Sequence, residues 1–203
     1  MRAFLSIAVC PLAAFAAAVG PRAGSVPEGP WTAGVWRIPA GDDVFFTGDA
    51  INAHHGKFWL NKNTTSYCPE GVENLDCSLY PGTQTSFVGG NNTVGLNTAV
   101  PGGQQVYIAA DGSLSYSVPH SAALPEGAVT TGFLRSRSEA FGAPVGLANN
   151  ENGGWRICPV GEGEPREIPY QIYAGKTEVE GCYSTEIRTY TTEGTTTWEY
   201  LWE

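Results

Sequence analysis

The sequence predicts an all-β fold, a single antiparallel β-sandwich or barrel with a β-trefoil as the alternative topology, held by two disulfides. Three observations predict it. Gly (26) and Pro (14) together approach a fifth of the 203 residues, a density of chain-turning residues that suits short strands joined by tight loops. After residue 20 no segment carries a sustained apolar stripe of period 3.6, so no amphipathic helix is expected. The cysteines downstream of that point form an even set, as a disulfide framework requires.

The N-terminus reads as a secretory signal: Met1-Arg2 supplies a positive charge, residues 3–19 an apolar core and Gly20-Pro21 a break. Small residues at Ala16 and Ala18, or at Ala18 and Gly20, offer cleavage points. The apolar run is short for a membrane span of ~20 residues, and Cys10-Pro11 interrupts it. The expected organisation is a signal peptide over 1–20, a flexible lead-in over 21–30 and a single all-β domain over 31–203. No later apolar run reaches spanning length, and the ending from Trp198 to Glu203 is no lipid-anchor tail. The expectation is a secreted protein, extracellular or in the cell wall, with no membrane anchor.

Removal of the signal takes Cys10 with it and leaves Cys68, Cys77, Cys158 and Cys182 for an oxidising compartment. Four cysteines allow three connectivities; short loops favour Cys68 with Cys77 and Cys158 with Cys182. A zinc site is disfavoured, because no Cys-x-x-Cys spacing occurs. The formal charge is −9, and the basic residues are scattered singly apart from Arg135 and Arg137. No basic stripe exists to follow a phosphate backbone, so no nucleic acid partner is expected.

Along the chain, alternation and β-branched or aromatic residues mark strands at 44–47, 57–60, 85–88, 94–97, 105–109, 114–118 and 129–133, then at 155–158, 169–173, 186–191 and 196–202. Asp111-Gly112 predicts a hairpin with Ala109 opposite Leu114 and Tyr107 opposite Tyr116. A turn at Glu193-Gly194 predicts a second, with Arg188 opposite Glu199 and Ile187, Trp198, Tyr200 and Trp202 on the inward face.

Candidate chemistry is sparse. His54, His55 and His120 lack evident partners for metal or acid/base work, and neighbouring histidines on a strand point to opposite faces. There is no Gly-x-Ser-x-Gly nucleophile elbow. Asp42, Asp43, Asp49, Glu178, Glu180 and Glu186 could supply the paired carboxylates of a glycoside hydrolase, but no signature organises them. Sugar binding needs less: an aromatic ring at a concave surface, for which Trp59, Trp155, Tyr170 and Tyr173 are the candidates, set against the commoner role of strand aromatics as core. Asn63-Thr64-Thr65 and Asn91-Asn92-Thr93 are glycosylation acceptors at Asn63 and Asn91.

Around Cys68 a recognisable pattern emerges. It runs through Phe58-Trp59-Leu60, Ser66-Tyr67-Cys68-Pro69-Glu70-Gly71-Val72, Leu75-Asp76-Cys77 and Val100-Pro101-Gly102-Gly103-Gln104-Gln105-Val106-Tyr107. It continues in Asp111-Gly112-Ser113-Leu114-Ser115-Tyr116, His120-Ser121-Ala122, Thr130-Thr131-Gly132-Phe133, Ile157-Cys158-Pro159 and Tyr170-Gln171-Ile172-Tyr173-Ala174. Over about residues 44 to 182 the chain resembles the filamentous-fungal family of small secreted cell-wall proteins that includes PhiA and IgE-binding protein. The resemblance implies a secreted or wall-associated protein, linked in relatives to spore-bearing structures and to recognition by human IgE, hence a possible allergen. It implies no reaction and carries over no catalytic residue.

The expectation for function is therefore a non-enzymatic secreted protein associated with the cell wall. A carbohydrate-binding module for wall polysaccharide is the first alternative and a glycoside hydrolase the second. No cofactor is expected, the one partner class suggested is cell-wall polysaccharide, and the sequence leaves the oligomeric state open.

Overall fold

A computed structural model describes residues 26–38, 41, 44–137, 140, 142–175, 177–194 and 197–203. The predicted signal peptide with Cys10, residues 21–25 of the lead-in, and Asp42 and Asp43 lie outside the described residues.

Fourteen strands follow in order: β1 (Trp31–Arg37), β2 (Phe46–Ala50), β3 (Asn52–His54), β4 (Lys57–Leu60), β5 (Ser66–Tyr67), β6 (Phe87–Leu96), β7 (Gln104–Ile108) and β8 (Leu114–Tyr116) lead. Then come β9 (Phe133–Arg137), β10 (Val145–Asn149), β11 (Trp155–Pro159), β12 (Tyr170–Ala174), β13 (Tyr183–Thr191) and β14 (Glu199–Tyr200). One 3-10 turn, Cys77–Leu79, is the sole helical element among the described residues.

The pairings close a nine-strand antiparallel barrel in the order β10-β9-β6-β7-β8-β4-β12-β11-β13, with β13 returning to β10. A ring of strictly alternating strands cannot hold an odd number, and β6 resolves the parity. A Cβ on Gly89 would lie 2.6 Å from the Thr93 carbonyl oxygen, whereas four residues of extended chain span about 13 Å. The chain therefore doubles back inside β6, and Asn97 N–H donates to Ser86 C=O at 2.8 Å. The two predicted strands at 85–88 and 94–97 are its two arms. Outside the ring, β1 pairs with β13 over residues 186–191, β2 extends β1, β3 pairs with β4, and β14 pairs with β5.

Inward-facing residues alternate along the strands as a barrel interior requires. Val35, Phe58, Leu60, Tyr116, Ile157 and Ile172 are all at 0% exposure. Trp31 stacks on Phe87 with centroids 4.7 Å apart, and Phe58 meets both Phe87 and Tyr116. Each such side chain contributes roughly 1.5–3 kcal/mol through burial. Both disulfides form as the short loops favoured, Cys68–Cys77 and Cys158–Cys182.

Several strand assignments need correction. β1, β3, β5 and β10 were not predicted, and the strand placed at 129–133 begins only at Phe133. In the first hairpin Tyr107 faces Ser115, Val106 faces Tyr116 and Ile108 faces Leu114. The loop holds three residues rather than two: Gly112 N–H donates to Ala109 C=O at 2.8 Å, Ala109 N–H donates to Ser113 C=O at 2.9 Å, and Gly112 takes φ +85°. That left-handed glycine shifts the register by one, so Tyr116 turns inward and Tyr107 outward.

The second predicted hairpin does not form. Arg188 faces Gly34 on β1 and Gly146 on β10, while Glu199 faces Tyr67 on β5. The chain past Thr191 is drawn across the barrel instead, because Tyr200 is buried at 0% exposure and its backbone is held by the Gln104 amide. Ile187 and Tyr200 do point inward, whereas Trp202 is 37% exposed.

Candidate functional site

Cross-strand register places one file of residues on the outer face of the barrel. Tyr173 on β12 stands opposite Arg156 on β11, and Arg156 opposite Ser184 on β13. Above Tyr173 lies a cleft of about 700 Å3. Its apolar wall comes from Ile108, Ala109, Val129 and Val179, and its polar groups are Asp111, Asn152, Tyr173, Thr177 and Glu178. Four separate parts of the chain meet there: the β7–β8 turn, the β8–β9 connection with Gly127 and Val129, the loop before β11, and the end of β12 with the β12–β13 connection. The Cys158–Cys182 disulfide ties the last of these to β11, which fixes the wall carrying Thr177, Glu178 and Val179.

Asp111 is held in the cleft by its neighbours. Its Oδ1 accepts from Ser113 N–H at 2.9 Å and from the Ser113 hydroxyl at 2.6 Å, and Lys57 Nζ lies 3.9 Å from Oδ2. Burial works to raise its pKa, but the Ser113 hydrogen bonds and the Lys57 charge together hold it below the usual aspartate value. The phenols of Tyr173 and Tyr107 are pushed up by burial, with the Asp111 charge adding to the shift. Both therefore stay neutral.

The four aromatic rings singled out from the sequence are not brought together as one surface. Trp155 is 4% exposed, with Nε1 donating to Leu147 C=O at 2.5 Å and its ring stacked on Phe133; Tyr170 is 1% exposed, edge-on to Phe46. Both serve the core. Trp59 is half-buried, its Nε1 donates to His54 C=O at 3.2 Å, and Lys62 Nζ sits 3.9 Å from its ring centroid, covering one face. Tyr173 is 7% exposed and lines the cleft.

The candidate acids scatter. Asp49 accepts from Arg166 at 3.0 Å, Glu186 from Arg188 at 3.3 Å, and Glu180 is exposed; Glu178 lies in the cleft. His54 Nδ1–H donates to Asn63 C=O at 3.0 Å, and burial lowers its pKa. His120 lies 3.7 Å from Glu199. Among the described residues no three His, Cys, Asp or Glu side chains gather where they could hold a metal ion. No described helix is long and apolar enough to cross a membrane. The acceptor residues Asn63 and Asn91 are both exposed.

Sequence reasoning missed Asp111, Asn152 and Thr177 as cleft residues. The Asp-Gly dipeptide marked a turn, but nothing in the sequence says that this turn closes on residues 152 and 177–179.

These features define a secreted, disulfide-bonded, all-β barrel protein with an open polar cleft. The chain belongs to the PhiA-like secreted protein family, whose model matches residues 35–201. The match extends beyond the 44–182 stretch of the sequence resemblance and takes in β13 and β14. An uncharacterized secreted protein of Arthroderma benhamiae is 35% identical over 126 residues, which are 58% of this chain and 55% of the relative. The matched region thus spans just over half of that relative's length. No solved structure matches the chain.

Proposed function

We propose that this secreted fungal protein is a non-enzymatic component of the cell wall, held there by binding neutral wall polysaccharide in the Tyr173 cleft. The observation that carries the reading is the composition of that cleft: one aromatic ring among small apolar residues, with carboxylate, amide and hydroxyl groups from Asp111, Asn152, Thr177 and Glu178 at its edge. A pyranose presents an apolar face and a rim of hydroxyls, and such a lining matches both.

The state of Asp111 suits a binding site. Its carboxylate is held on the ionised side by the Ser113 hydrogen bonds and the Lys57 charge. An ionised carboxylate accepts hydrogen bonds from sugar hydroxyls, the role a binding site asks of it. Glycans on the exposed Asn63 and Asn91 would further bulk the protein within the wall without entering the cleft.

The experiment is retention on insoluble β-glucan and on chitin, with elution by salt or by soluble oligosaccharide. Retention that survives high salt, yields to oligosaccharide and releases no reducing sugar is the expected result. Failure to be retained on either polymer overturns the reading, and sugar release overturns its non-enzymatic part.

A further inference from the structure

We propose that the Tyr173 cleft is one end of a continuous groove that takes the interior of a long, unbranched, neutral polysaccharide chain, with Trp36 as the aromatic platform at the far end. The inference rests on the polysaccharide reading above and deepens it by specifying the ligand's length.

The walls of neighbouring hollows carry the argument. Asn152 lines the Tyr173 cleft and also a second hollow of about 420 Å3, together with Gly153, Gly154 and Arg156. Gly153, Gly154 and Thr185 pass from that hollow into a third, about 330 Å3, beside Arg188. Thr185, Glu186 and Arg188 then line a fourth of about 400 Å3, which ends at Trp36 and Ile38. Shared walls place the four hollows side by side, as the segments of one groove would lie.

Strand register gives its course and length. From Tyr173 the file runs to Arg156 and Ser184; Glu186 is on the same face of β13 two residues on, and Glu186 stands opposite Trp36. Three strand spacings and two residues along a strand amount to roughly 16 Å, more than a single sugar ring covers. Beside this path Arg188 is flanked by Gly34 on β1 and Gly146 on β10, so neither neighbouring strand raises a side chain next to it.

The far end is pre-set for a ring contact. The Arg188 guanidinium lies 4.1 Å from the Trp36 ring centroid, and Trp36 Nε1 donates to the Tyr190 hydroxyl. An indole already held in place loses little freedom when a ligand arrives. Charge selects a neutral chain: Arg188 is matched by Glu186 at 3.3 Å, and the protein as a whole carries −9, which repels a polyanion.

Gly154 provides the test. It lies where the second and third hollows join, and a Cβ built there meets nothing within 4 Å, so a larger side chain obstructs the groove without displacing the fold. Binding of the linear β-1,3-gluco-oligosaccharide series from laminaribiose to laminariheptaose is measured by calorimetry for wild type, Gly154→Leu and Trp36→Ala. Unchanged circular dichroism and melting temperature certify the variants. Wild-type affinity should rise by about tenfold or more from the shortest to the longest oligosaccharide, equivalent to about 1.4 kcal/mol, and this long-to-short ratio should fall toward unity in both variants. Binding that does not strengthen with length, or a ratio that neither variant changes, overturns the groove while leaving the cleft reading standing. No binding of any length, in this series or in the corresponding chito-oligosaccharides, overturns both.

Discussion

The side-chain amide of Gln104 stands in for a β-strand against Tyr200: its Nε2 donates to the Tyr200 carbonyl at 2.9 Å and its Oε1 accepts from the Tyr200 N–H at 2.8 Å. The same Nε2 donates to Ser117 C=O at 3.1 Å. Gln104 is 3% exposed, so nothing replaces these bonds if the amide is lost. This accounts for the most distinctive run of the sequence, Pro101-Gly102-Gly103-Gln104-Gln105. Gly103 N–H closes a turn onto Val100 C=O, Gln104 clamps the C-terminal segment, and Gln105 Nε2 donates to Val94 C=O on β6.

Gln104→Leu keeps a side chain of similar size and removes all three bonds. A loss of roughly 3 kcal/mol is expected in denaturant unfolding, with faster carboxypeptidase trimming past Tyr200. A loss under about 1 kcal/mol would mean that the clamp is incidental.

What the sequence made legible were features set by neighbours in the chain. The all-β class, the strand Lys57–Leu60, the two short-loop disulfides and the inward turn of Ile187 and Tyr200 all follow from composition, alternation or proximity. Tertiary competition decided the rest. Gly112 adopts the bulged three-residue loop instead of the two-residue turn, and the Gln104 clamp takes the C-terminal segment away from β13. The cleft was illegible because its polar groups come from three distant segments; Tyr173 appeared only as one of four rings, and two of the others proved to be core.

The Cys158–Cys182 bond should matter to the cleft as well as to stability. Replacing both cysteines with alanine opens a loop with a sequence separation of 24, at a cost of roughly 3 kcal/mol in the chain-entropy model and a melting-temperature drop on the order of 10 °C. Because this bond pins the wall bearing Thr177 and Glu178, polysaccharide retention should fall at temperatures where the variant is still folded. Retention equal to wild type would show that this wall takes no part.

Two acids should give opposite pH signatures. Asp111 has a depressed folded pKa, so its contribution is present above the ordinary value near 3.8 and is lost as pH falls through the folded value. Asp111→Asn should therefore be less stable than wild type at neutral pH, and the difference should vanish in acid. A difference that is the same at every pH would assign the effect to shape and not to charge.

Glu199 runs the other way. Burial raises its pKa above 4.5, against the opposing effect of His120. The folded protein then holds a proton that the unfolded chain releases, so stability declines as pH rises from 4.5 through the folded value. Glu199→Gln should raise the melting temperature at neutral pH and leave it unchanged in acid. A lower melting temperature at neutral pH would show that the His120 contact outweighs the burial.

Trp59→Ala separates packing from contact at one of the four rings that the sequence offers. Trp59 lines neither the Tyr173 cleft nor the three hollows that follow it, so the ring reads as packing. The variant should lose several degrees in melting temperature and keep its polysaccharide retention. Unchanged melting with lost retention would move the binding surface to the Trp59 edge.

The central claim is that sugar binds above Tyr173, and backbone amide chemical shifts recorded while a soluble β-glucan oligosaccharide is titrated in test it most directly. The account predicts saturable shifts concentrated at Asp111, Gly112, Asn152 and residues 177–179. Shifts confined to Trp59, Lys62 and the surrounding loop, or no shifts at saturating sugar, would contradict it.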